Sequence, residues 1–530
     1  MPDVNFNQLR ANIFYFALLV YVASLPYAEA FVSIAAGILF GQAILLMSWK
    51  HPSVKLKEYK SLMMVVSIFV VYLLGMIGTA DFSFALYELR KVVFWVILPI
   101  AFFISPRINI KRFHTVLIVF CFSVLSASVV AVIRLLFKDH LHIEDFRDIT
   151  IISHIRYSFQ VVLSIIIAMY FLISGSSFFN SSFLKRILFF YVIWMIVFLF
   201  LIKSMTGIIA FAGTALLLLF LILFKIKNRK MKGVVLISTV IFIITPVLYV
   251  YTVWKDFYDI EKLDPQKVEK YTVAGNPYSF DFNSFEKENG YWVKAYICET
   301  ELRKEWNKRS RMKYDSLDVN GYSYGSTLIR YLTSKGYRKD SLGVTRLSEE
   351  DLKAIENGIA NYIFVNNRFS IYPRIYETIW ELDRYIHAGD PNFQSLSQRI
   401  EFIKASFILI KSNPLVGIGT GNWKIKYAEA YKKMNSKLIK ENQGPSHNQY
   451  LNYLVKFGVL GFVYIFSMLF LPVFREKHKR NLVFWLFLIS ISIANFADAN
   501  FETHMGLSFF CFFYCFFLWH SPQEFKSYHL

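Results

Sequence analysis

This chain of 530 residues is 55% hydrophobic and 18% aromatic and has a positive mean hydropathy of +0.40, a composition that excludes an ordinary soluble globular domain. Its formal charge of +20 would suit nucleic acid only if it clustered on a polar domain. Between Asp256 and Gln394, however, 20 Lys/Arg face 22 Asp/Glu, so the surplus flanks the apolar segments, where it marks membrane topology and excludes nucleic acid as a partner.

Taken in order, stretches of about 20 apolar residues fall at 11–27, 29–48, 61–79, 91–105, 113–137, 156–174, 184–202, 205–224, 233–254, 450–474, 481–497 and 504–519. The first has a competing reading. Arg10, an apolar run and Ala28-Glu29-Ala30 resemble a cleavable signal peptide, but an uncleaved first span is the expectation. The fourth is short enough to be tilted or interfacial. The chain is therefore expected to be an all-α polytopic membrane protein with about twelve transmembrane helices. Three of its four cysteines lie in apolar segments and Cys298 stands alone, so no disulfide framework or zinc-type spacing is present.

Every second loop is basic. One set holds Lys50, Lys55, Lys57 and Lys60; Arg107, Lys111 and Arg112; Lys185 and Arg186. It continues with the cluster at 225–232, then Arg475, Lys477, Lys479 and Arg480. The positive-inside rule places these loops and both termini in the cytoplasm. The opposite loops include ELRK at 88–91, HIEDFRD at 142–148 and NFADANFETH at 495–504. The long insertion after the ninth span then faces outward. The expected division is residues 1–254 with helices 1–9, residues 255–446 as a large, mostly helical periplasmic loop domain, and residues 447–530 with helices 10–12. Within the insertion, SEEDLKAIENGIANYIFVNN and RIYETIWELDRYIHA show helical spacing, with Leu352, Ile355, Ile359 and Ile363 on one face. Residues 255–320 carry no clear pattern.

Residues 395–461 concentrate the polar groups with chemical potential. Ser395 and Gln398 have capping-box spacing, and Leu396, Ile400, Ile403, Phe407 and Ile410 form an apolar stripe with Arg399 at its edge. An arginine held there suits bidentate contact with phosphate, or simply snorkels at the membrane surface. Gly417, Gly419 and Gly421 in GIGTGNW lack a preceding strand and a following lysine, so they read as an irregular turn rather than a nucleotide loop. Ser446 is the expected N-cap of the tenth span, which puts His447 in its first turn, as a general base or as a capping histidine. Arg156, Lys203, Glu502 and His504 lie at other outward span ends, where they would ring a positively charged cavity or serve as topological anchors.

The sequence His447-Asn448, nine residues, Gly458, two residues, Gly461 resembles the signature of the O-antigen ligase family, which is related to the O-antigen polymerases. The preceding QRIEFIKASFILIKSNPLVGIGTGNW is similar to that family's arginine helix and N-P-x-x-G-x-G turn. The resemblance implies a metal-independent, inverting membrane glycosyltransferase that uses no cofactor and sits in the bacterial inner membrane with its active site facing the periplasm. The donor would be a glycan on undecaprenyl pyrophosphate, and the acceptor a sugar hydroxyl, usually on lipid A–core. By motif position Arg399 meets the pyrophosphate and His447 is the base. Arg156, Lys203, Asn448 and Glu502 are expected to line the substrate site. One departure stands out. Where the family often has an arginine, this chain has Met205, and Lys203 or Arg156 is expected to supply the charge. A polymerase or a protein O-oligosaccharyltransferase would share the chemistry. A transporter would require polar or broken helices at the membrane midplane, whereas the spans here read as mostly uninterrupted.

Overall fold

A computed structural model of the chain describes residues 2–45, 59–137, 146–174, 179–319, 321–366, 370–478 and 481–526. Lys50, Lys55, Lys57, Lys479 and Arg480 of the basic loops, residues 142–145 of the acidic loop and the end of the second apolar stretch lie outside the described residues. Every one of the twelve apolar stretches is helical over most of its length, from Pro2–Ser24 to His504–His520. Among the described residues six helices are long and apolar enough to cross a membrane: Ile110–Leu136, His154–Ile173, Ser182–Leu201, Met205–Lys225, Arg229–Tyr258 and Gln449–Arg475. Five more are apolar but shorter, and Phe94–Ile104, which contains Pro99, has 11 residues. The protein is thus a predominantly helical membrane protein. Helices suit such a setting because each satisfies its own backbone groups without water.

Two compact units emerge: Met1–Leu236 with Gln398–Leu530, and Ile237–Ser397. The sequence division at 255–446 differs from this because residues 398–446 pack with the apolar helices. Phe402, Ala405 and Leu409 share a core with Tyr427, Tyr431 and Val455. Burial of the apolar helices does not follow hydropathy. His504–His520 is buried from Met505 to its end, whereas most of Arg229–Tyr258 is exposed.

In the second unit the chain forms a short hairpin, Lys287–Glu288 with Tyr291–Trp292, turned by Asn289 and Gly290. Both turn residues have positive φ (48° and 85°), the pairing a tight hairpin turn demands. Helix Tyr324–Ser334 packs on it, helix Tyr372–Ala388 reaches it through Tyr376 and Asp383, and helices Glu299–Arg309 and Glu349–Glu356 lie in the same unit. The expected helical run at 348–367 is shorter than its pattern. Ser348 and Asp351 form a capping box, and the helix then ends before Gly358, whose φ is 75°. Ile363 still reaches the interior, on a separate turn of helix. The Ser395–Gln398 capping box is also replaced. Helix Ser395–Ser412 begins at Ser395, and the Leu396 amide donates to Glu381 Oε2 at 2.7 Å.

Candidate active site

Helix Ser395–Ser412 turns inward a face other than the Leu396–Ile410 stripe. Phe402, Ala405 and Leu409 are buried, while Ile403 and Phe407 of the expected stripe are exposed. The exposed stripe suits lipid contact, and the buried face fixes the helix on Tyr427, whose hydroxyl lies 2.7 Å from Ser406 Oγ. This packing sets the direction of Arg399, and its Nη1 donates to the Ala497 carbonyl at 2.8 Å.

The glycine turn that follows has a structural role. Helix Gln449–Arg475 is not continuous, because Gly458 adopts φ 61°, ψ −170° in its interior. A break there would orphan helical backbone groups, each costly to leave unpaired in an apolar setting. The turn pairs with them instead. Ile418 and Gly419 amides donate to the carbonyls of Val455 and Lys456 at 2.9 Å each, and the Val459 and Leu460 amides donate to Pro414 and Leu415 at 2.8 and 3.1 Å. A Cβ on Gly417 would come within 2.5 Å of the Lys456 carbonyl, which explains the residue type. The uninterrupted span expected at 450–474 is therefore corrected to two helical pieces sealed by a backbone plug.

The start of that helix also differs. Asn448, not Ser446, is the N-cap: its Oδ1 accepts from the Leu451 amide at 3.0 Å and its Nδ2 donates to the Phe496 carbonyl at 3.0 Å. Ser446 is buried and donates to Asn452 Oδ1 at 2.7 Å. His447 consequently precedes the cap rather than occupying the first turn. Its side chain is half exposed and rests against Phe402, with ring centroids 5.8 Å apart. Nδ1 lies 3.5 Å from Asp498 Oδ1.

Asp498 is the residue that sequence reasoning missed. It is buried at the end of helix Leu482–Ala497, directly after the carbonyl held by Arg399. Arg156 ion-pairs with its other oxygen, and also donates from Nε to Thr503 Oγ1 at 3.0 Å and from Nη1 to Asn500 Oδ1 at 3.2 Å. Burial works to raise the Asp498 pKa, but His447's hydrogen bond and the Arg156 guanidinium outweigh it and hold the carboxyl far below the usual carboxylate range. The only signal in the sequence was an acidic residue in the 495–504 loop, opposite in charge to Arg156. Because this folded-state pKa is depressed, the pair contributes stability above the unfolded value near ~3.9 and loses it as pH falls through the folded value. Amide exchange across 496–503, corrected for intrinsic rate, is expected to stay constant from neutral pH to about 4. Loss of protection already near pH 6 would contradict the pairing.

Arg399, His447, Asn448 and Arg156 thus converge on residues 496–503. Glu502 meets other partners. Its carboxylate accepts from Lys456 Nζ at 2.6 Å and Tyr72 Oη at 3.2 Å, and Lys456 also binds Glu88 at 2.8 Å. Lys203, at φ 49°, sits in the tight turn before helix Met205–Lys225. That turn is placed by Ser204 Oγ, 3.1 Å from Ser158 Oγ, two residues along the helix from Arg156. In the expected positively charged ring, Arg156 is matched by Asp498, and Glu502 is itself matched by Lys456, which also pairs with Glu88.

A helical membrane protein with an Arg–His–Asp grouping at one loop is the class these features define. Residues 354–466 match the family model Wzy_C, described as O-Antigen ligase, the family that the motifs of 395–461 resemble. The match contains Arg399, His447, Asn448, Gly458 and Gly461, and indicates an enzyme of the ligase or polymerase type. No curated protein matches the chain.

Proposed function

We propose that the protein is a membrane glycosyltransferase that moves a glycan from undecaprenyl pyrophosphate to a sugar hydroxyl of lipid A–core, at the periplasmic face of the inner membrane with both termini cytoplasmic. The observation that carries this reading is the convergence of two motif residues on adjacent positions: Arg399 on the Ala497 carbonyl, His447 on the Asp498 carboxylate.

Asp498 takes the Nδ1 side of the imidazole, so Nε2 is the nitrogen that receives the acceptor proton. As that proton moves to His447, the acceptor oxygen bonds to the anomeric carbon from the face opposite the leaving group. The bond from that carbon to the pyrophosphate oxygen breaks, and the electron pair leaves with the polyprenyl pyrophosphate. A guanidinium at Arg399 stabilises this growing negative charge. Asp498 stabilises the imidazolium formed, and Arg156 keeps Asp498 in place. Asn448, whose amide is engaged on both sides by backbone, contributes by fixing His447 rather than by touching substrate.

Arg399→Ala is expected to reduce transfer in proteoliposomes supplied with lipid-linked glycan by roughly 10²-fold or more, with Arg399→Lys intermediate. Normal turnover by Arg399→Ala would remove the arginine from the mechanism. Deletion of the gene distinguishes the acceptors: a ligase mutant accumulates long lipid-linked polymer, whereas a polymerase mutant leaves single repeat units on core.

A further inference from the structure

A cluster of buried charge takes no direct part in the proton transfer proposed above. Lys456 Nζ lies 2.8 Å from Glu88 Oε2 and 2.6 Å from Glu502 Oε2, and the three side chains are only 5%, 2% and 10% exposed. Lys91 pairs with the other oxygen of Glu88, so two lysines balance two carboxylates. Such a cluster gains little over apolar packing of the same volume, because the cost of stripping water from the charges offsets their attraction. What it adds is direction. Charge-assisted hydrogen bonds hold their partners in one geometry, which apolar contacts do not.

Two segments are joined in this way. Lys456 belongs to the first piece of helix Gln449–Arg475, just ahead of the break at Gly458, and Glu502 ends the short turn Asn500–Glu502. Between the same segments the Phe501 amide donates to Gln449 Oε1 at 2.8 Å, and Gln449 is fully buried. Arg156 holds the same turn through Asn500 and Thr503. His447 immediately precedes the Asn448 cap of the helix piece, and Asp498 stands just ahead of the turn. Asn448, bonded to Phe496, and Gln449 lie at one end of the piece and together act as a pivot. Lys456 is two helical turns further on, about 12 Å along the axis, and a second attachment at that distance fixes the angle.

We infer that Lys456 and Glu502 are positioning residues for the transfer reaction. Their ion pair locks the helix piece that follows His447 to the turn that follows Asp498, and so holds the imidazole against the carboxylate. Both Glu502 oxygens are engaged, Oε2 by Lys456 and Oε1 by Tyr72, so Glu502 holds the turn rather than meeting substrate. This role rests on the reading of His447 and Asp498 as the proton-accepting pair.

A double-mutant cycle tests it in proteoliposomes, using undecaprenyl-pyrophosphate-linked glycan and lipid A–core from the bacterium that makes the protein. Glu502→Gln keeps the shape and leaves Lys456 paired with Glu88, so no buried charge is orphaned. It is expected to lower kcat roughly tenfold, with donor KM and melting temperature little changed. In an Asp498→Asn background the same substitution is expected to cost less than about twofold, because it acts through Asp498. Glu502→Asp keeps the charge on an arm one methylene shorter. It is expected to fall between wild type and Glu502→Gln and to show the same dependence on Asp498. Equal losses in both backgrounds, a wild-type kcat for Glu502→Gln, or a lowered melting temperature with kcat of the folded fraction unchanged would overturn the assignment. If Asp498→Asn itself turns over at the wild-type rate, the base pair fails and this role with it. If Asp498→Asn is slow while Glu502→Gln is not, the positioning role alone fails.

Discussion

His447→Ala is expected to lower glycan transfer by about 10²–10⁴-fold while the protein still inserts and folds. The side chain is half exposed and, among the described residues, its polar contact is Asp498, so truncation removes chemistry without opening the core. Asp498→Asn tests the same assignment from the other side. It keeps the shape but removes the charge that stabilises imidazolium, so turnover should fall while the donor KM changes little. The measurement is initial transfer rate in proteoliposomes, with insertion checked by size-exclusion profile. Wild-type rates in both variants would end the base assignment.

The second large effect belongs to a residue far from any proton transfer. Gly458→Ala is expected to destabilise the protein severely. Its φ 61°, ψ −170° lies in a region essentially reserved for glycine, worth about 1–3 kcal/mol of strain for another residue. The new Cβ would also meet the Leu415 carbonyl at 2.3 Å, and that atom is backbone and cannot rotate aside. Relief requires the glycine plug to withdraw, which strands the carbonyls of Val455 and Lys456. Gly37→Ala is the matched control. Nothing lies within 4 Å of its Cβ, and helix Glu29–Leu45 should gain about 0.4–1 kcal/mol. Thermal unfolding of the two variants side by side is decisive: similar melting points would show that the break in helix Gln449–Arg475 is not held by the turn.

The local features of this protein were legible from its residues. Apolar length located the helices, because a chain in lipid must satisfy its backbone within each segment. Motif spacing selected Arg399 and His447. The apolar stripe of helix Ser395–Ser412 was legible but its direction was not, because a helix between a protein core and lipid has two apolar faces, and periodicity cannot say which packs inward. The N-cap was misplaced by two residues because Ser446 and Asn448 are both good capping residues, and only the partner carbonyl of Phe496 distinguishes them.

What the sequence by itself determined is thus the helical membrane class, the near-complete set of helix positions and two of the three residues in the proposed catalytic group. What only the tertiary structure decided is the rest: Asp498 behind His447, Arg156 committed to Asp498, the break at Gly458 and the burial of His504–His520 at the centre of its unit. Each of these depends on a contact between residues tens to hundreds of positions apart. Hydropathy and periodicity describe a segment's own surface, whereas such contacts depend on which surfaces meet.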